Sequence, residues 1–164
     1  QLWVNLPQSH KMSSPRYQTL SNANIPSVAL ESGAGSLRVI AGGFQGHNGP
    51  ARTFTPVELY DLQLRAGARL ELAIPEGHST SVFVLEGGVS VNGAASAGEA
   101  ELVVLKRQGS LMLIESRQDS RVLIMSGKPI EEPIARYGPF VMNTKAEIIQ
   151  AVEDYQAGRM GHLS

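Results

Sequence analysis

The chain contains no cysteine. That excludes disulfides, thiolate metal sites and a cysteine nucleophile, and it suits a reducing compartment such as the cytoplasm. Charge is also scarce and balanced, with 14 Lys and Arg against 15 Asp and Glu and a net charge of −1. Binding to a phosphate backbone depends on clustered cations, so this composition argues against a direct nucleic-acid partner. No apolar run reaches the roughly 18 residues of a membrane-spanning helix. The opening "QLWVNLPQSHKM" has neither the charged start nor the continuous apolar stretch of an export signal. A soluble protein with no membrane partner is the expectation. Long polar or proline-rich tracts are missing as well, and with 42% hydrophobic and 18% charged residues the balance is that of a folded domain. A chain of 164 residues suffices for one core, burying roughly 70% of the surface exposed by the unfolded chain.

What is present, from Ile25 to about Met125, is strand after strand. "LRVIAGGF", "VELYDLQL", "RLELAI", "SVFVLEG", "VSVNG", "AELVVL", "SLMLIES" and "SRVLIMSG" are short β-rich runs bounded by Gly, Pro, Asn or Asp, the spacing of a sandwich or barrel. In "RLELAI", Leu70, Leu72 and Ile74 share one face while Arg69 and Glu71 share the other, as in a strand with one apolar side. Ala73 falls with the polar pair, so that face either lines a polar interior or looks outward. The glycines of "AGGF" (41–44) and "EGG" (86–88) suit bulges or tight turns, and Asn92-Gly93 is a hairpin signal.

The two ends differ from this middle. Residues 1–24 are rich in Ser, Asn and Pro and keep no sustained period, which reads as an irregular arm. After the breaker-rich "PIEEPIARYGPF", Thr144 and Glu147 form a capping box, and Ile148, Val152 and Tyr155 share a helical face before Gly158. An amphipathic helix over 144–157 should dock its stripe on the barrel. The expected organisation is therefore an arm at 1–24, a barrel at 25–142, and a helix with its tail at 143–164. Glu131 and Glu132, between prolines, read as a solvated turn.

Catalytic motifs are few. There is no GxSxG, P-loop or GxGxxG, and "SGAGS" (32–36) lacks the strand-to-helix context of a phosphate cradle and reads as a loop. The four histidines, His10, His47, His78 and His162, are widely spaced. His78 sits in the turn after "RLELAI". It is either a turn histidine that bonds a nearby carbonyl or faces solvent, or a proton-transfer or ligand-contact residue at a barrel mouth with Glu71 or Glu76 beside it. Trp3, the only tryptophan, either anchors the arm on this domain or contacts another one.

"QLWVNLP" followed by "KMSSPRYQ", and later "EPIARYGPFVMNTKAEIIQAVEDYQAGRMG", resemble the second half of the pirin family across essentially the whole chain. That resemblance implies a cupin, an all-β double-stranded β-helix with one C-terminal helix. Pirins are bicupins with their metal, usually iron, in the first barrel. Some members resemble quercetin 2,3-dioxygenases, and others have been connected with transcription coregulators. The resemblance puts Gln1 at the join between barrels, with the metal-bearing half outside this chain.

The metal motif of a pirin's first barrel has two histidines two apart, then a glutamate, then a strand ending in a "VLEG"-like run. Aligned on "VLEG" at 84–87, those positions hold Ala73, Pro75 and Ser79. With one residue of slack Glu76 becomes an oxygen donor, yet a facial-triad iron site needs two imidazoles and a carboxylate. No cofactor is therefore expected in this chain. Three readings follow. The first is a non-catalytic barrel that packs on its sister barrel or another protein, or on a second copy of itself as a homodimer. The second is a metal-independent cupin enzyme or small-ligand binder using His78 and a carboxylate. The third is a dioxygenase in this chain itself.

Overall fold

The computed structural model describes residues 2–161, which divide into two units: Leu20–Pro129, and the residues up to Thr19 together with those from Ile130 onward. The first unit holds β1 (Ser27–Ala29), β2 (Gly35–Ala41), β3 (Gly43–Phe44), β4 (His47–Asn48), β5 (Val57–Leu64), β6 (Arg69–Ala73), β7 (Ser79–Glu86), β8 (Gly88–Val91), β9 (Ala95–Gly98), β10 (Leu102–Val104), β11 (Leu111–Ser116) and β12 (Ser120–Gly127). Each of the eight runs expected from the sequence falls on a strand. β1, β9 and the β3–β4 hairpin were not foreseen, and "SGAGS" already enters β2 at Gly35.

Ten of these strands form two antiparallel sheets, one in the order β1-β2-β5-β12-β7-β10 and one in the order β6-β11-β8-β9, and β3 pairs with β4 alone. This is the cupin sandwich, all-β as expected. Alternation produces the core between the sheets. On β12 the inward residues are Ser120, Val122, Ile124 and Ser126, and on β7 they are Thr80, Val82 and Val84. Facing them from the smaller sheet are Leu72, Val89, Val91, Met112 and Ile114, all of them in one apolar cluster. Burying each such side chain contributes about 1.5–3 kcal/mol. On β6 the apolar face points inward, while Arg69, Glu71 and Ala73 are exposed, which resolves the ambiguity at Ala73. Asn92 and Gly93 adopt φ of 53° and 62° at the β8–β9 turn, the left-handed backbone that the Asn-Gly pair favours. Gly87 (φ 79°) is needed for space as well, because a Cβ there would lie 2.5 Å from the Asp119 carbonyl oxygen.

One acidic residue is buried on the outer face of the larger sheet. Asp61 of β5 is 4% exposed and accepts two bonds from Arg121 (2.9 and 2.8 Å) and one from Arg38 (3.1 Å). Arg38 also donates to Asn22 Oδ1 at 2.7 Å, tying the segment before β1 to the sheet. The Arg121 guanidinium holds the Asp61 carboxyl below its usual range, against the opposing effect of burial.

In the second unit, β13 (Ala135–Tyr137) and β14 (Phe140–Met142) make a hairpin, followed by α1 (Lys145–Gln156). The capping box forms as expected: Thr144 Oγ1 accepts from the Glu147 amide at 3.2 Å, and the Glu147 carboxylate accepts from the Thr144 amide at 2.7 Å. Within this unit α1 packs on the hairpin, with Ile148 and Ala151 buried and the Tyr155 ring 6.0 Å from Phe140. Tyr155 stays 66% exposed, so the buried stripe is narrower than the 148/152/155 face. Strands β13 and β14 belong to this second unit, which resumes at Ile130. Glu132 is an anchor and not a solvated residue: Oε2 accepts from the Gln8 amide (2.7 Å) and from Asn143 Nδ2 (3.0 Å), which joins the N-terminal arm to the hairpin.

Replacing Asp61 by Asn should cost about 2 kcal/mol by weakening a charge-assisted network. Because the native carboxyl titrates low, its contribution is complete above about pH 4 and disappears as pH falls through the depressed value. Urea unfolding at pH 7 and pH 3 should show a smaller difference between wild type and Asp61→Asn at the acid pH.

Candidate functional site

The turn joining β6 to β7 is short and sharply defined. The His78 amide bonds the Pro75 carbonyl at 3.2 Å, and Gly77 between them takes φ of 84°, a conformation that glycine adopts without strain. This turn delivers His78 just before β7, two residues from the inward-facing Thr80. Cross-strand register does the rest, since Ser126 of β12 pairs with Thr80 on one side and with Glu58 of β5 on the other. Glu58, Ser126 and Thr80 thus form a polar row at one end of the interior.

His78 closes on that row. Its Nδ1 lies 3.1 Å from Glu58 Oε2 and 3.3 Å from Ser126 Oγ, and Ser126 Oγ lies 2.9 Å from Thr80 Oγ1. The His78 residue is only 8% exposed and the Glu58 side chain 16%. A neutral imidazole that donates from Nδ1 to the carboxylate keeps a lone pair on Nε2. Among the described residues Nε2 makes no hydrogen bond. His78 lines a cleft of about 440 Å3 together with Ile74, Val91, Leu111 and Met112 and with Lys106 and Arg107. An imidazole held by a carboxylate through one nitrogen and presented through the other can accept a hydrogen bond or a proton from a bound molecule.

Below this row on β5 is Tyr60, which is buried and donates to the Gly43 carbonyl at 2.7 Å. Burial, reinforced by the charge of Glu58, pushes its phenol up to about 12.

Of the candidate pocket residues Glu71, Glu76 and His78, only His78 lines the cleft. Glu71 points outward and pairs with Arg69 at 3.0 Å, its side chain 54% exposed. Glu76 is exposed at the tip of the turn and outside the cleft lining. The carboxylate beside the imidazole is instead Glu58, twenty residues away in sequence. Its signal was the position of Glu58 on the same alternation as Tyr60, Leu62 and Leu64 in "VELYDLQL". Of the other histidines, His47 lies exposed on β4 and His10 in the N-terminal arm, and His162 lies outside the described residues.

The donor set does not match a facial-triad metal. Ala73 and Pro75 offer no side-chain ligand, Ser79 is exposed, and among the described residues no three His, Cys, Asp or Glu side chains are placed to share an ion. His78 and Glu58 supply two donors, and these bond to each other.

Comparison with known proteins agrees with this architecture. The description "Pirin C-terminal cupin domain" matches residues 59–161. The chain belongs to the pirin family. It is 49% identical over 97% of its length to a Pseudomonas aeruginosa protein that carries a provisional quercetin 2,3-dioxygenase name, covering 55% of that protein. It is 39% identical over 98% of its length to Pirin-1 of Arabidopsis thaliana, covering 57% of it. Among solved structures it is similar to a quercetin 2,3-dioxygenase from Acinetobacter baumannii, with a TM-score of 0.91, 42% identity, and coverage of 97% of this chain and 55% of that one. The chain therefore spans little more than half the length of these relatives.

Removing the Glu58 charge should lower the Tyr60 titration from about 12 toward the ordinary phenol value of about 10, though not to it, because burial is the larger cause. Tyr60 stabilises the fold fully below pH 10, and that contribution is lost as pH rises through its native value. Ultraviolet titration of Glu58→Gln against wild type checks the shift; an unchanged Tyr60 would mean that the carboxylate is not held beside it.

Proposed function

We propose that this chain is the C-terminal, metal-free half of a two-barrel pirin, and that it supports the chemistry of an N-terminal sister barrel without performing it. The observation that carries this reading is the identity of the residues where a cupin triad would stand: Ala73, Pro75 and Ser79 cannot bind iron as imidazole and carboxylate do. Coverage of only 55% of the Pseudomonas relative supports the existence of a further half. Iron or a similar metal belongs to that half, and the whole protein is proposed to be cytoplasmic.

Apolar residues in the second unit support a protein-facing role. Leu2, Trp3 and Val4 are exposed by 51%, 67% and 55%, so Trp3 is not an anchor buried in its own domain. Ile134, Tyr137 and Ile149 are exposed too. Apolar side chains of this size left in water favour association, with the sister barrel in the parent protein or with a second copy when that barrel is absent. A second reading draws on the names of relatives: the whole protein is a quercetin 2,3-dioxygenase-like enzyme whose active site lies in the other barrel. Among the described residues no helix is long and apolar enough to cross a membrane.

The test uses the whole natural protein, with metal content and oxygen uptake on quercetin measured for wild type, His78→Phe and Glu58→Gln. Metal stoichiometry should be unchanged, and any uptake should stay within about twofold, a change of less than 0.5 kcal/mol in barrier. Loss of one metal equivalent in either variant would place a metal in this barrel and overturn the reading.

A further inference from the structure

We infer that the cleft in front of His78 binds a small organic anion that also carries a hydroxyl group, with His78 Nε2 accepting the hydroxyl's hydrogen bond and Lys106 and Arg107 facing the anionic end. This goes beyond the supporting role proposed above and does not depend on it.

The deep end of the site is built, not incidental. A buried polar atom ordinarily has a partner, because leaving it bare costs about 1–3 kcal/mol. Nδ1 meets that requirement through Glu58 and Ser126, and Ser126 is itself held by Thr80. These contacts occupy Nδ1, so Nε2 is the ring nitrogen without a protein partner among the described residues, in a side chain that lines the cleft. The partner that suits it is a donor, and a hydroxyl is the simplest one.

The rim has the opposite character. Lys106 and Arg107 follow β10 and line the same cleft, and neither side chain forms an ion pair among the described residues. No Asp or Glu lines it; Glu58 stands behind the imidazole. Two cations with no lining carboxylate select a negative group. Between the two ends, Ile74, Val91, Leu111 and Met112 offer an apolar wall to the body of the molecule. The cleft volume of about 440 Å3 is within the roughly 300–1,000 Å3 of natural small-molecule sites.

The probe 4-hydroxybenzoate carries both features at opposite ends of a flat apolar body; benzoate lacks the hydroxyl and phenol lacks the anion. In the whole natural protein with 15N-labelled histidine, the His78 resonances are identified by their loss in His78→Phe, and binding is measured by calorimetry at low salt. 4-Hydroxybenzoate should shift the His78 Nε2 signal and bind about tenfold tighter than either single-feature probe, the effect of one added polar contact. Lys106→Ala with Arg107→Ala should weaken it about tenfold and remove its advantage over phenol, and added salt should do the same in part. These rim positions are exposed, so the double variant remains informative where His78→Phe does not fold. An unshifted Nε2 signal at about 10 mM probe, ten times a millimolar Kd, would overturn the inference. So would phenol binding as tightly as 4-hydroxybenzoate, or a rim variant that binds like wild type. Unchanged metal content in every variant keeps this outcome separate from that of the metal test.

Discussion

The pairing of β12 with β5 on one side and β7 on the other sets both the core and the site. Because side chains alternate with a period of two, one register places Val122 and Ile124 inward against Leu62, Tyr60, Val84 and Val82. The same register, carried one step further along each strand, lines up Glu58, Ser126 and Thr80. A slip of one residue would turn all of these outward together. The apolar core therefore enforces the register that the polar row needs, and the row itself adds only a few short hydrogen bonds.

That coupling explains why a carboxylate and an imidazole sit at the end of an otherwise apolar interior. The centre of the sandwich is filled by Leu37, Leu62, Val82, Ile114 and Ile124, each almost fully buried, so no ligand enters there. On β12 polar residues replace apolar ones on the inward side only at the two ends, Ser126 beside His78 and Ser120 at the other. The opposite face of β5 carries a second device, the Asp61 clamp to Arg121 and Arg38. It holds the outer surface without touching the interior, and the two faces of one strand thereby have separate electrostatic tasks.

Much of the architecture was legible because it rests on local pattern. The strands of the sandwich announced themselves by alternation and by bounding glycines, and the helix by Thr144, Glu147 and the stripe behind them. The elements that escaped notice are those with little pattern to read. β1 and β13 have three residues each and β3 and β4 two, while Ala95–Gly98 is made of small residues with no apolar alternation. The hairpin at 135–142 lay in a stretch of prolines and glycines that reads as irregular, and a long-range partner, Lys11, donates to its Val141 carbonyl at 3.0 Å.

The sequence by itself determined the all-β class, the capped C-terminal helix and the pirin resemblance, and it singled out His78 as a histidine set in a strand-joining turn. It could not choose that histidine's carboxylate. Glu71 and Glu76 are near in sequence, but strand alternation sends the first outward and the turn leaves the second in water, whereas Glu58 arrives across two strand pairings. Which acid meets which base is a matter of register between distant strands, and register is settled only when both sheets bury their apolar faces together.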